Sequence, residues 1–109
     1  MIKHIFFHNG TLHLVLKSKW YDLIKSGIKK EEYRELTAYW ARRLLFFPYT
    51  IGRSMPRNFI SVCFHRGYTN EKSYYEFNGI EIGEGQPEWG AVPGKKYFVI
   101  KIGKEVQLC

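Results

Sequence analysis

The chain has 109 residues, 45% hydrophobic and 17% aromatic, with a formal net charge of +7. That composition excludes a disordered chain and leaves room for one core, so a single domain over 1–109 is expected. Eleven Lys and Arg against four Asp and Glu fall in Met1–Phe59, while the remainder holds six of each. The whole charge excess sits in the first half, which fits either a protein face that meets an anion such as nucleic acid phosphate or ordinary solubility charge.

No apolar run approaches the roughly 20 residues that span a bilayer, so no membrane partner is expected. The start, Met1 to His8, lacks the apolar stretch and cleavage site of a signal peptide. Cys63 and Cys109 are far apart, which argues against a structural disulfide and for a cytoplasmic setting. Neither cysteine, nor His4, His8 or His13, has trusted metal-ligand spacing, and no metal or cofactor is expected. His65 reads as a satisfied surface or barrel histidine.

Ile2 to Phe7 reads as a strand, and Asn9-Gly10 as the tight turn to a second strand in which Leu12, Leu14 and Leu16 share a face. Ser18 can cap a short helix to Ser26, with Trp20, Leu23, Ile24 and Ile28 as its inner stripe and Gly27 as its stop. Then comes a charged run, Lys29-Lys30-Glu31-Glu32-Tyr33-Arg34-Glu35. If extended, it puts Lys30, Glu32 and Arg34 on one side and Lys29, Glu31, Tyr33 and Glu35 on the other. Neither side is apolar enough for a buried strand, so one must face water or a cleft.

Thr37 can cap a second helix to about Phe47, with Trp40, Leu44 and Phe47 inward and Arg42 and Arg43 pointing about 100° apart. Pro48 to Asn58 is a basic loop carrying Arg53 and Arg57, and by composition the mobile one. Phe59 to Arg66 is a strand in which Ile60, Val62 and Phe64 alternate with Ser61, Cys63 and His65. Ser73 to Gly83 is another strand, broken at Asn78-Gly79. Glu84 to Gly94 is loop, and Lys96 to Gly103 the last long strand, with Glu105 to Leu108 as a continuation. The sum is an α+β domain: a small barrel or curved sheet of about five or six mostly antiparallel strands, with two flanking helices.

A strand, a short helix, then Gly27, Lys29, Glu32 and Arg34 resembles the motif Gly-x-Lys-Thr-x-Glu-x-Arg of the ASCH domain, a branch of the PUA-like superfamily. Lys30 stands at the motif's threonine. Tyr39-Trp40, Arg43-Leu44, Phe64 with Gly67-Tyr68, Glu88-Trp89-Gly90 and Tyr97 to Gly103 extend the resemblance, to the small bacterial and phage type, over nearly the whole chain. It implies a β-barrel with the charged motif lining a cleft, and a ligand that is RNA or nucleotide-like. Some relatives hydrolyse acylated cytidine, and others are reported as ribonucleases. The amidohydrolase lysine falls on Lys29. Its nucleophilic threonine falls on Glu32, so that nucleophile is missing here.

Binding is therefore the leading expectation. Lys29, Lys30, Glu32, Tyr33 and Arg34 form the motif's ligand set, and Arg42, Arg43, Arg53 and Arg57 extend it as a basic track. Tyr33, Tyr39 and Trp89 are candidate stacking platforms, with lid packing the alternative for Trp89, while the spacing of Trp40 favours core packing over a platform. Arg34 offers a rigid fork for phosphate or a base edge, or a salt bridge to Glu32. If the chain is a hydrolase, Lys29 with Glu32 or Glu88 would activate water, with Glu76 as a further carboxylate. A domain that binds only a partner protein stays open.

Overall fold

The structure is a computed structural model that describes residues 10–46 and 56–107. The expected strand at Ile2 to Phe7, and with it the first hairpin, lies outside the described residues. So do Phe47, Arg53 and Cys109. Gly10 is described and has the positive φ, +65°, that a tight turn calls for.

Five strands appear among the described residues: β1 Thr11–Leu16, β2 Glu31–Arg34, β3 Ser61–Arg66, β4 Lys72–Glu84 and β5 Lys96–Val106. They form one curled sheet, a half-barrel, in the order β1-β3-β4-β5-β2. Three pairings are antiparallel; β1 and β3 run parallel. β1 and β2 are consecutive in sequence yet form opposite edges of the sheet, with α1 (Ser18–Lys25) between them in the chain. α2 (Ala38–Leu44) connects β2 toward β3.

Leu12, Leu14 and Leu16 are buried, as their alternation requires, against Val62 and Phe64 of β3 and Phe98, Ile100 and Ile102 of β5. Ile60, expected on that inner face, is 64% exposed; it precedes the strand, and its N–H bonds the Gly10 carbonyl. Asn78-Gly79 does not break β4. The register shifts there, between Phe77 and Ile80, so the pair forms a bulge that bends one continuous strand.

Ser18 is the first residue of α1 and not its cap; Lys17 holds the cap position and makes no side-chain cap bond. The stop behaves as expected. Gly27 adopts φ +86°, its N–H bonds the Ile24 carbonyl, and the Ile28 N–H reaches Leu23, the paired bonds of a Schellman turn. That turn throws Ile28 outward, so Tyr21 joins Ile24 as the buried residues of α1. Thr37 caps α2 as its position predicts, accepting from the Trp40 N–H. No helix among the described residues is long and apolar enough to cross a membrane.

Candidate functional site

The half-barrel leaves a seam where edge strands β1 and β2 approach without pairing. A cleft of about 640 Å³ opens there, lined by Val15 to Lys17, Trp20, Glu32 to Glu35, Trp40, Trp89 and Tyr97 among others. The charged run therefore walls a cleft, and the reason is local. As a short edge strand paired only to β5, β2 has its free edge toward the seam.

Three charged side chains interlock at the cleft, with Glu32 and Arg34 in its wall and Lys29 behind them. Lys29 is 1% exposed and Glu32 6%. The Lys29 ammonium donates to the Glu31 carbonyl at 2.6 Å and the Trp89 carbonyl at 2.9 Å, and meets Glu32 Oε1 at 3.0 Å. An ammonium has three hydrogens, so all of its donors are occupied. The nitrogen also lies over the rings of Tyr33 and Trp20, 4.7 and 5.4 Å from their centroids. Burial pushes Lys29 below the ordinary lysine range, and the Glu32 charge pulls it part of the way back.

The other Glu32 oxygen pairs with Arg34 Nη1. Arg34 also donates from Nη1 to the Tyr33 carbonyl at 2.9 Å, and from Nη2 to the Val15 carbonyl at 3.2 Å. The last bond crosses the seam and ties one edge strand to the other. Its guanidinium carbon sits 5.1 Å from the Trp40 ring centroid. The Nε–H and the second Nη2 hydrogen have no hydrogen-bond partner among the described residues. Of the two motif cations, Arg34 is the one with donors left for a ligand.

Lys29 thus joins Glu32 and Arg34, although strict alternation puts it on the other side. It precedes the first residue of β2, in the turn after α1, so the pleat does not govern it. Lys30 is exposed, absent from the cleft wall, and its carbonyl accepts from the Ile102 N–H. Tyr33 donates to Glu31 Oε1 and accepts from the Gln86 N–H, each at 2.9 Å. That fixes its ring against the loop after β4, where a Cβ on Gly85 would lie 2.5 Å from it.

Trp89 reaches the cleft from a single 3-10 turn, Pro87–Trp89, and Gly90 (φ +105°) lets the chain pass close to Trp20. Glu88 on that turn is exposed and outside the cleft wall, and Glu76 bonds the Lys104 N–H elsewhere. The second carboxylate of the cleft is Glu35, paired to Lys95 at 2.7 Å. Arg42, Arg43 and Arg57 lie outside the lining: Arg43 stacks on Tyr39 at 3.5 Å, and Arg57 bonds the Arg42 carbonyl. The basic wall comes instead from Lys17, Arg34 and Lys95. Lys17 and Lys95 escape sequence reasoning because their neighbourhoods carry no motif; only the closing of the seam brings them together.

Compared with known proteins, the chain matches no family model, no curated protein and no solved structure.

Proposed function

We propose that this chain is an ASCH-like, PUA-related module that binds single-stranded RNA or a nucleotide in the seam cleft. The carrying observation is the company of Arg34: spare guanidinium donors in a cleft walled by Trp20, Trp40, Trp89, Tyr33 and Tyr97. Flat aromatic walls accept unpaired bases, each stack contributing about 1–3 kcal/mol. A planar fork of donors suits a base carbonyl or a phosphate. The size falls within the roughly 300–1,000 Å³ of small-ligand pockets. The free thiol of Cys63 is in keeping with a cytoplasmic setting.

Binding is favoured over hydrolysis by the pairing of the motif. Lys29 has no free donor, and each Glu32 oxygen already faces a cation. A water-activating base would need one of these contacts to open.

All three tryptophans of the chain line the cleft, so intrinsic fluorescence reports directly on occupancy. Titration with short single-stranded RNA, nucleotides and nucleosides at low salt is expected to quench it, and added salt to weaken the RNA response. No quenching by any of them would sink the reading. Turnover of acylated cytidine or labelled RNA would move the assignment to the hydrolase.

A further inference from the structure

Outside the cleft, three donor side chains meet on the face of the sheet turned away from the leucine core. The parallel register of β1 and β3 sets His13 beside Cys63 and Val15 beside His65. Residues two apart on a strand share a face, so Cys63 and His65 stand together on β3 with His13 alongside. Their ligand atoms all lie within 4.8 Å of one another. His65 Nε2 is 2.9 Å from His13 Nδ1 and 3.6 Å from Cys63 Sγ.

A tetrahedral Zn2+, with Zn–N of about 2.0–2.1 Å and Zn–S of about 2.3 Å, holds neighbouring nitrogens about 3.3 Å apart and a nitrogen and sulfur about 3.6 Å apart. The separation of His65 Nε2 from Cys63 Sγ already matches, and His13 Nδ1 lies no more than 4.8 Å from the same sulfur. The N···N separation must open by about 0.4 Å, which a small rotation of the exposed His13 ring provides. We propose that His13, Cys63 and His65 form a three-ligand site for a thiophilic divalent cation of the Zn2+ type, with the fourth position open to solvent.

The donor set selects the class of ion. One sulfur and two imidazoles suit Zn2+ and its neighbours, while Mg2+ and Ca2+ require oxygens. Cys63 is fully buried and His13 exposed, so an ion enters from the histidine side and meets the sulfur last. β4 completes the surroundings, with Tyr74 in register with Cys63 and Lys72 with His65. On binding, the Cys63 thiol gives its proton to solvent and the thiolate becomes the ligand, with no change of oxidation state. None of the three residues lines the cleft, so this site does not depend on the nature of the cleft ligand.

The test is anaerobic Co2+ titration of a Cys109→Ser protein, which leaves Cys63 as the sole thiol. One equivalent is expected to give a thiolate-to-cobalt charge-transfer band and the intense visible bands of a four-coordinate ion, both removed by Zn2+. Cys63→Ala should abolish the charge-transfer band. His13→Asn and His65→Asn should each weaken Co2+ binding at least tenfold, the scale on which even supporting contacts of metal sites act. Cys63 is buried and its replacement risks misfolding, so the exposed His13→Asn, with circular dichroism to verify folding, decides the matter. Absence of the charge-transfer band in the folded Cys109→Ser protein overturns the proposal and leaves the 2.9 Å contact as a hydrogen bond. Binding unchanged in both histidine variants overturns it as well, placing the metal elsewhere.

Discussion

Lys29 donates a hydrogen bond to the main-chain carbonyl of Trp89, 2.9 Å away and 60 residues along the chain. The bond fastens the loop bearing Trp89 to the start of β2. The motif lysine therefore shapes the cleft from beneath and presents nothing to its interior. A residue 1% exposed can in this way shape a cleft that it does not enter.

The first prediction concerns stability. Lys29→Met removes one cation from a buried carboxylate and leaves the Trp89 carbonyl without its donor. Breaking a buried pair from one side costs about 3–5 kcal/mol. Because Arg34 still pairs with Glu32, about 3 kcal/mol is expected, read as a lower urea midpoint. Adding Glu32→Gln should restore part of the loss, since no carboxylate then stays half-paired. A midpoint unchanged in Lys29→Met would show that the buried contacts contribute nothing.

Arg34 should behave in the opposite way. Arg34 lines the cleft and keeps donors that bond no described residue, and Lys29 keeps Glu32 paired when Arg34 is gone. Arg34→Lys is expected to weaken the proposed binding of RNA by about 1–3 kcal/mol, roughly 5- to 150-fold, because an ammonium cannot reproduce the planar fork. The loss in folding stability should be smaller than that of Lys29→Met. Fluorescence titration beside urea unfolding separates the two roles. Equal affinity for wild type and Arg34→Lys would remove Arg34 from the binding site.

Several features are legible in the sequence because local chemistry dictates them. The Leu12, Leu14, Leu16 alternation, the Gly27 stop and the Thr37 cap each depend on residues within one turn or one strand. The seam is not legible, because it depends on which strands end up as edges. Nothing local tells that β1 pairs parallel with β3, so neither the closeness of Lys17 to Arg34 nor that of His13 to Cys63 and His65 shows in the residue order. One signal is present: Cys63 and His65 alternate on a strand, hence share a face, and His13 lies outward between buried leucines. The arginines of α2 mislead for a related reason. Charge composition reports that a cation exists, whereas the helix direction decides which surface it serves.

Two glycines two residues apart give a third prediction. A Cβ on Gly85 would lie 2.5 Å from the Tyr33 ring and 2.8 Å from the Ala91 Cβ, while one on Gly83 meets nothing within 4 Å. Tyr33 cannot retreat, since its hydroxyl is held by Glu31 and Gln86. Gly85→Ala should therefore cost about 1–3 kcal/mol through overpacking. Gly83→Ala, inside β4 and without a positive φ, should be neutral or stabilise by about 0.5–1 kcal/mol through reduced chain entropy. Thermal melts should place Gly85→Ala below wild type and Gly83→Ala at or above it. A melt of Gly85→Ala at or above wild type would mean that the ring and loop are not locked together.

The last prediction concerns alkaline pH. Burial raises the Tyr33 phenol above its ordinary 10.0, and the bond to Glu31 adds to the rise because a phenolate would face a carboxylate. Once pH passes 10, the unfolded chain loses the Tyr33 proton while the folded protein keeps it. The unfolded state then binds fewer protons, so stability falls as pH rises further. Tyr75, raised by its burial, and Lys101, raised by Glu31, act with the same sign. Lys29 acts against them: burial lowers it, so its folded form sheds its proton first and the penalty fades as pH climbs toward 10.5. The net slope should be negative, and Tyr33→Phe should make it shallower. The variant should also lose about 1 kcal/mol at neutral pH with its two hydrogen bonds. Urea midpoints of both proteins at about pH 8 and about pH 11 measure the difference. Parallel losses in the two proteins would show that Tyr33 ionises as freely folded as unfolded.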